Sequence, residues 1–431
     1  MIEKTVKCKV ITPMFSRSLE LENERENIYK FELRPQSVKG VLHFWFRAVV
    51  PRVIDIYNLD LNKLPPELRR EYENEEYKGL KYVENLLFGS QNNKAPFSLL
   101  VDWKESDTQT IGRVVQDRGR NNFLFSNDLG KDASYPLYGL YDYDRRTGAT
   151  KLINKYLKPG AEFTITVFAK DEPTWDVVFS LIKLISVLSG FGSKTTKGFG
   201  EFEIIAPKVE RNSYLTEENV KRLISETERS IINFINSKDT NKALILGKSD
   251  KVLFPSLVEG KYTFFSINKT ADKFGELMTA LYGMMTARVN DRIVVKSRGW
   301  YRELKYRMRK YGNNKTKDCV KELIRCIERK ERQADIAPAI IALPLQYQNL
   351  KVSNGPNKIT IFPKNAIGEK GRKPATLRII IANQQGRYKP YGLLIVSKIS
   401  EDNQLIHDLS GFNLTYSAKF SDILREAQNI K

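Results

Sequence analysis

The order of strands and helices over the first half of the chain constrains the fold more than any other sequence feature. Alternating runs predict strands, whereas apolar residues at helical spacing predict helices. Strands are predicted at residues 4–12, 96–103, 110–116, 162–169 and 201–205, and helices begin at Pro35 and at Thr174. With the strand pair at 96–116 counted as one member, the order is β, α, β, β, α, β. That order indicates an α+β fold built on a ferredoxin-like unit.

The length of 431 residues predicts two or three domains. We expect an N-terminal domain at residues 1–210, with a helical insertion at about 54–82, and a connecting helix at 211–240. A C-terminal domain at 241–431 then carries a basic helical insertion at about 288–333. This second half is predicted to hold strands at 261–267, 339–346, 376–383 and 391–399, and helices at 271–287 and 417–427. Its strand order is not fixed by the sequence.

The net charge narrows the classes of partner. The chain has 71 Lys and Arg residues against 51 Asp and Glu residues, a formal charge of +20. Such a surplus favours a polyanionic partner, most often nucleic acid, although a basic surface without such a partner is the alternative. The ferredoxin-like order agrees with the first interpretation, because RNA-recognition modules share that architecture.

Composition also excludes several classes of protein. No run of about 18 apolar residues occurs, and residues 1–10 lack the apolar core of a secretory signal, so we expect a soluble cytoplasmic protein without membrane contact. Three cysteines are too few for a disulfide scaffold or, with two histidines, for a zinc site based on cysteine. Asp142 and Asp144 could hold a metal ion, but we expect them to pair with Arg145 and Arg146. The sequence therefore predicts no metal and no cofactor.

Half of the net charge lies in one late segment. Residues 288–332 contain 16 Lys and Arg residues and 6 Asp and Glu residues, a net charge of +10. Aromatic residues alternate with the cations here, so bases could stack while the cations meet phosphates. The candidate RNA contacts are Arg298, Arg302 and Arg309. An acidic protein partner and a plainly solvated surface remain open alternatives for this segment.

A glycine-rich loop, GFGSKTTKGFG, occupies residues 190–200. It runs from a helix to a strand, whereas P-loops and dinucleotide-binding loops run from a strand to a helix, so both of those sites are excluded. Its glycines allow close backbone approach, and its lysines and hydroxyls could form a phosphate cradle. A purely structural turn is the alternative. The candidate RNA-binding residues are Gly192, Ser193, Lys194, Thr195 and Lys197.

The helix that begins at Pro35 carries a second group of candidates. Lys39, His43 and Arg47 are spaced by four residues and form a stripe opposite the apolar face. Gly40 lies inside the helix, where it costs about 1 kcal/mol relative to alanine, and such a glycine often permits close approach of another backbone. His43 could be a general base, but no nucleophile or second histidine is obvious beside it.

These residues together resemble the RAMP superfamily of CRISPR proteins, and within it the first Cmr subunit of type III-B effector complexes. The similarity lies in the strand that ends in TPMF, the segment ELRPQSVKGVLHFWFRAV, the element FGS at 88–90 and the glycine-rich loop. Arg34, Lys39 and Arg47 match the family pattern, and Ser90 belongs to its F-G-S element. His43 stands where the family tends to have arginine. Later segments, IALPLQYQ and GRKPATLRIII, match more loosely.

The resemblance implies two RAMP domains with ferredoxin-like cores and helical insertions. It also implies a non-catalytic, RNA-binding subunit near the 3′ end of the CRISPR RNA. Its partners would be the CRISPR RNA, single-stranded target RNA and the other Cmr subunits. Arg34, Lys39, His43, Arg47 and Ser90 would then contact RNA together with the glycine-rich loop.

A second function within the same superfamily stays open. The chain could be a metal-independent endoribonuclease that processes CRISPR RNA, with His43 as general acid and base supported by lysines. No other arrangement of residues in the sequence suggests catalysis.

Overall fold

The computed structural model describes residues 1–430 with internal gaps. The gaps are residues 24–27, 110–114, 117–122, 125–128, 130, 144–149, 153, 209–214, 290–291, 311–317, 330–332, 342–344, 349, 351, 353–357, 366–369, 371–374 and 410–412.

The helices are α1 (Pro35–Val49), α2 (Pro66–Tyr72), α3 (Lys78–Phe88), α4 (Glu172–Leu188), α5 (Glu217–Lys238), α6 (Phe274–Tyr282), α7 (Trp300–Arg309), α8 (Cys319–Arg329) and α9 (Phe420–Gln428). Short 3₁₀ turns lie between them. Among the helices of the described residues, none combines the length and the apolarity that a bilayer crossing requires.

The strands are β1 (Ile2–Val10), β2 (Met14–Phe15), β3 (Arg17–Asn23), β4 (Ile28–Phe31), β5 (Ile54–Leu59), β6 (Phe97–Trp103), β7 (Thr108–Gln109), β8 (Val115–Gln116), β9 (Phe123–Leu124), β10 (Tyr141–Tyr143), β11 (Thr150–Leu152), β12 (Tyr156–Leu157), β13 (Glu162–Ala169), β14 (Phe202–Ala206), β15 (Leu244–Leu246), β16 (Tyr262–Ser266), β17 (Met284–Val289), β18 (Arg292–Arg298), β19 (Gln333–Asp335), β20 (Leu345–Gln348), β21 (Lys358–Pro363), β22 (Leu377–Gln384), β23 (Arg387–Ile395), β24 (Gln404–His407) and β25 (Asn413–Thr415).

Four of these strands form an antiparallel sheet in the order β14-β1-β13-β6. In the chain they are the fourth, first, third and second strands of a β-α-β-β-α-β unit whose helices are α1 and α4. A chain that alternates in this way and keeps every neighbouring pair antiparallel is a ferredoxin-like unit. The predicted α+β fold class is therefore confirmed.

The sheet buries one face because its strands alternate. In β1, Val6, Cys8 and Val10 are buried while Lys7 and Lys9 are exposed. Helices α1 and α4 contact each other, and α4 also packs on α5. Because α4 has neighbours on two sides, it is apolar nearly all round.

The chain divides into two compact units. Unit 1 comprises Met1–Val252, Ser256–Leu277 and Arg378–Leu393; unit 2 comprises Leu253–Pro255, Met278–Leu377 and Leu394–Lys431. Unit 1 holds the ferredoxin-like sheet and a three-stranded sheet in the order β16-β23-β22. Unit 2 holds a five-stranded sheet in the order β19-β25-β24-β21-β20 and the hairpin of β17 and β18. The expected division into domains at 1–210 and 241–431 stays a prediction.

Three predicted elements of the second half differ from the structure. The helix expected at 271–287 ends at Tyr282, and the following residues form β17, which pairs with β18. The basic segment therefore begins with a hairpin strand before α7 and α8. The strand expected at 339–346 is a 3₁₀ turn at Ala337–Ile340 followed by β20, because Pro338 lies at the start of the turn and lacks a backbone donor.

Candidate nucleic-acid interface

The stripe on α1 is joined to a buried carboxylate on α3. Arg47 donates from Nε to Glu84 Oε1 at 2.6 Å and from Nη2 to Glu84 Oε2 at 2.8 Å. His43 Nε2 lies 3.1 Å from Glu84 Oε1, and the His43 ring stacks against Phe88 at 4.5 Å between centroids. The Glu84 side chain is only 6% exposed. Such bidentate contacts between arginine and a carboxylate fix geometry as well as charge, so Glu84 orients Arg47 and His43 along the surface of α1.

The carboxyl group of Glu84 makes the stability of unit 1 depend on pH. Burial alone would raise the pKa of Glu84, but the contacts from His43 and Arg47 lower it below its ordinary value. A carboxyl with a lowered pKa in the folded state stabilises the fold above its unfolded pKa of about 4.3 and loses that contribution as the pH falls through the folded value.

We therefore expect Glu84→Gln to flatten the acid dependence of unfolding. Between about pH 6 and pH 3, the free energy of unfolding should fall less for Glu84→Gln than for the natural chain, because glutamine takes up no proton. Urea denaturation at several pH values measures this. Glu75→Gln is the matched control, since Glu75 is exposed and its side chain has no partner among the described residues. If the free energy of unfolding depended on pH equally in Glu84→Gln and in the natural chain, protonation of Glu84 would not contribute to acid unfolding.

Lys39 lies beside the loop that follows α3. Its Nζ donates to the carbonyl oxygen of Phe88 at 2.9 Å and lies 5.5 Å from the centre of the Phe97 ring. Burial lowers the pKa of Lys39 from its ordinary value. One of its three ammonium donors is used by Phe88 O, and a lysine has two more to offer to an incoming anion.

Gly40 lies on the same exposed face as Lys39, His43 and Arg47. It is exposed, and a Cβ built on it would have no atom of the described residues within 4 Å. Packing against these described residues therefore does not require a glycine here. The residue keeps the surface of α1 flat between two cationic side chains.

The N-terminus of α1 adds positive potential at the end of the same helix. Arg34 is the N-cap residue, no side chain caps the helix, and its first turn contains no acidic residue. The buried Nε of Arg34 has no hydrogen-bond partner among the described residues. The helix dipole favours anions at such an end, although Pro35 has no backbone N–H and Ser37 N already donates to Arg34 O at 2.9 Å.

Ser90 has a structural role in this region. Its Oγ accepts hydrogen bonds from the backbone N–H groups of Asn92 and Asn93, both at 3.2 Å. The preceding Gly89 has φ +81°. Ser90 thus closes the turn that carries the chain from α3 toward β6.

The glycine-rich loop is anchored by its phenylalanines. Phe191 and Phe199 are fully buried, and Phe191 stacks on Phe202 with 4.8 Å between ring centroids. Gly200 has φ +75°, and a Cβ there would overlap with the carbonyl oxygen of Phe191. Gly192 has φ +89° and is packed in the same way against Phe15 O. Only glycine fits these two positions.

The polar middle of the loop is held from two sides. Ser193 N donates to Phe15 O at 2.6 Å, and Lys194 Nζ donates to Tyr138 O at 2.6 Å. Burial and, secondarily, Lys197 lower the pKa of Lys194. Thr195 and Lys197 are half-buried. The α1 stripe contacts α3, Phe88 and Phe97, whereas this loop contacts Phe15 and Tyr138, so the described contacts place the two sets of candidates in different surroundings.

A strand far along the chain supports the loop. Ile379 N donates to Thr196 O at 3.1 Å. The neighbouring Arg378 is buried, with its guanidinium 4.8 Å from the Phe44 ring centre and its Nη1 3.4 Å from Ser189 Oγ. Burial lowers the pKa of Arg378 to about 10, and the Glu201 carboxylate opposes that change. Arg378 thus links β22, α1 and the end of α4, a role that the sequence analysis missed.

The candidates of unit 2 are held by contacts within that unit. Arg309 forms a bidentate pair with Asp318, with contacts of 2.8 and 3.0 Å from Nη2. Arg298 lies 3.7 Å from the centre of the Tyr306 ring. Arg302 donates to the carbonyl oxygen of Tyr282.

Two of the aromatic residues of this segment are buried in the core. Trp300 and Tyr301 are each 2% exposed, so they are not available as stacking platforms. Cys319 and Cys326 are buried, and within the described part of the chain neither forms a disulfide. Tyr311 lies outside the described residues.

The histidine of the stripe shares one carboxylate, that of Glu84, with Arg47. His43 faces a carboxylate that already binds Arg47, and no nucleophile contacts it in the described part of the chain. Among the described residues, no group of three or more His, Cys, Asp and Glu side chains is placed to hold a metal ion. The side chains of the residues considered for a metal, Asp142 and Asp144, lie outside the described ones.

Comparison with known proteins finds a family match in the ferredoxin-like part of the chain. Residues 7–203 match the model of the RAMP superfamily. This segment contains α1, α3, β6, β13, α4 and the glycine-rich loop, so the similarity to the RAMP superfamily lies in the ferredoxin-like part of the chain.

Within the superfamily, the predicted similarity to Cmr subunit one is confirmed. The chain is 23% identical over 209 residues to the CRISPR system Cmr subunit Cmr1-2 of Pyrococcus furiosus, a match over 47% of this chain and 96% of that protein.

Two solved structures are similar over nearly the whole chain. The apo crystal structure of Cmr1 from Pyrococcus furiosus matches with a TM-score of 0.48 and 15% identity, covering 99% of this chain and 96% of that one. A cryo-EM structure of the type III-B Cmr-beta complex bound to cognate target RNA matches with a TM-score of 0.42 and 13% identity, covering 98% of both chains. TM-scores below 0.5 do not establish a shared fold, so the fold assignment rests on the sheet topology and the family match.

Proposed function

We propose that the chain is a non-catalytic, RNA-binding subunit of a type III-B CRISPR (Cmr) effector complex in the prokaryotic cytoplasm. It would lie near the 3′ end of the CRISPR RNA and help to capture single-stranded target RNA, in contact with other Cmr subunits. The RAMP match at residues 7–203, the relative named as a Cmr subunit and the net charge of +20 support this function.

One observation carries the RNA contact. The exposed face of α1 combines the cationic side chains of Lys39 and Arg47 with Gly40, and none of the described residues places an atom within 4 Å of a Cβ built on that glycine. A glycine in a helix interior costs stability, and a glycine at this open position supports the proposal that a partner approaches the helix closely here. A sugar-phosphate backbone lying along α1 fits the flat surface and the charges on either side. Such contacts bind phosphates and not bases, so binding should depend weakly on RNA sequence.

Gly40→Ala separates this function from a structural role of the glycine. Alanine should stabilise α1 by up to about 1 kcal/mol, because it loses less backbone entropy on folding and its methyl group meets no atom of the described residues. The same methyl group should weaken RNA binding, by about three- to tenfold, where the RNA backbone lies on the helix. Thermal unfolding and fluorescence anisotropy with labelled RNA measure the two effects. A variant that is more stable and binds RNA as well as the natural chain would contradict the proposed contact at Gly40.

A further inference from the structure

Unit 1 contains a cavity that none of the RNA-binding candidates lines. Its volume is about 660 Å³, and it lies between α2, α3, the turn before β6 and the ends of β13 and α5. Glu84 points from α3 toward α1, whereas Asn85 and Leu86 on the same helix line the cavity. The cavity is thus separate from the stripe on α1. Its volume lies within the range of small-molecule sites.

The interior of the cavity combines an apolar wall with a few polar groups. Leu68, Leu86 and Pro96 supply apolar surface. Asn85 Nδ2 donates to Glu71 Oε1 at 2.8 Å and to the Tyr72 hydroxyl at 3.0 Å. Burial raises the pKa of Tyr72, so its phenol keeps its proton. Neither that proton nor Asn85 Oδ1 has a partner among the described residues, which leaves one donor and one acceptor for a ligand.

The rim of the cavity carries the ammonium groups of Lys94 and Lys170. Lys94 and Lys170 are exposed, and no hydrogen bond or ion pair of their side chains is found among the described residues. Lys170 N donates to Pro96 O at 2.8 Å, which places both lysines on the same edge. Lys238, which also lines the cavity, is already paired with Asp171. Two free cations at one edge are suited to a phosphate group.

We propose that this cavity binds one nucleotide unit. The base would lie against the apolar wall with its polar edge toward Tyr72 and Asn85, and its phosphate would contact Lys94 and Lys170. A base has apolar faces and an edge of donors and acceptors, which is the combination that the cavity presents. The nucleotide could belong to an RNA strand or be a free mononucleotide. If the nucleotide belongs to an RNA strand, the site is part of the proposed RNA-binding function and rests on it. If it is a free mononucleotide, the site is independent of that function.

Two variants of the full-length chain test the site. Lys94→Ala/Lys170→Ala removes the phosphate contacts, and Tyr72→Phe removes only the phenol oxygen. Lys248→Ala/Lys251→Ala is the matched control. Both lysines are exposed, and their replacement removes the same charge from another part of unit 1. The probes are a single-stranded RNA of about 20 nucleotides and the mononucleotides adenosine and uridine 5′-monophosphate. Fluorescence anisotropy and calorimetry give the affinities.

The expected result is an RNA affinity about tenfold lower for Lys94→Ala/Lys170→Ala and about threefold lower for Tyr72→Phe, against less than about twofold for the control. If only the mononucleotide affinity falls, the site takes free nucleotides. If the variants match the control with every probe, the proposal is wrong. Loss of RNA affinity on substitution of the α1 stripe, with the cavity variants unchanged, would contradict the cavity alone. Loss of RNA affinity in the cavity variants, with the α1 variants unchanged, would contradict only the RNA contact at α1.

Discussion

Replacing Lys39 and Arg47 by alanine together should lower the affinity for single-stranded RNA about tenfold or more at moderate salt. Both side chains lie on the exposed face of α1 beside Gly40, where we place the RNA backbone. Each phosphate contact on a single strand contributes about 0.7 to the slope of log affinity against log salt, so the slope should become shallower by about 1.4. Anisotropy titrations between about 50 and 200 mM salt measure both quantities.

The substitutions of Lys39 and Arg47 are best combined with a third substitution that keeps the fold stable. Removing Arg47 alone would leave the buried Glu84 without its main partner, and an uncompensated buried carboxylate is destabilising. The comparison is therefore between Lys39→Ala/Arg47→Ala/Glu84→Gln and Glu84→Gln alone, with Lys248→Ala/Lys251→Ala in the Glu84→Gln background as the charge control. Affinity and salt slope equal to those of the control would remove α1 from the RNA interface.

Gly200→Ala should have the largest effect on stability. The added Cβ would overlap with Phe191 O, a backbone atom held in place by the buried phenylalanines, and alanine would also be strained at φ +75°. We expect the free energy of unfolding to fall by about 3 kcal/mol or more, since neither the clash nor the strain can relax cheaply. Thermal unfolding followed by near-ultraviolet circular dichroism measures the loss.

Gly160→Ala is the control that separates the two causes. Gly160 has φ +87°, but a Cβ built there would lie more than 4 Å from every atom in the described part of the chain. Its substitution should cost only the left-handed conformation, about 1 kcal/mol. Equal losses for the two variants would mean that the contact with Phe191 contributes nothing.

The first half of the fold could be predicted because its signals are local. The alternation in β1 and β13 and the apolar residues of α4 each follow from neighbouring residues in the sequence. The order of these elements then left a ferredoxin-like unit as the natural arrangement. The spacing of Lys39, His43 and Arg47 likewise predicted a stripe, because helical geometry fixes it.

The partners of that stripe were not predicted because they lie far away in sequence. Glu84 is 37 residues from Arg47. A signal existed: Leu80, Val83 and Leu87 are the buried face of α3, and Glu84 falls among them. A carboxylate on an apolar helix face indicates a buried partner. Arg378 gave a similar signal as the one cation in the apolar run of β22.

The second half was harder to predict because pairing between strands decided its structure. The run after Tyr282 is compatible with a helix by its apolar content, yet it forms β17 through pairing with β18. Tertiary partners override local preference in such runs. In the same way, the alternation of cations and aromatics near residue 300 suggested a stacking surface. The structure buries Trp300 and Tyr301 and pairs Arg309 with Asp318.

Photocrosslinking in the assembled complex tests the proposed RNA contact most directly. The full-length chain would be purified with its partner subunits, CRISPR RNA and target RNA, irradiated and analysed by mass spectrometry for peptides joined to nucleotides. We predict crosslinks within residues 34–47 of α1 and its N-terminus, lost when Lys39 and Arg47 are replaced. Crosslinks confined to residues 288–332, or none to this chain, would contradict an RNA interface on α1.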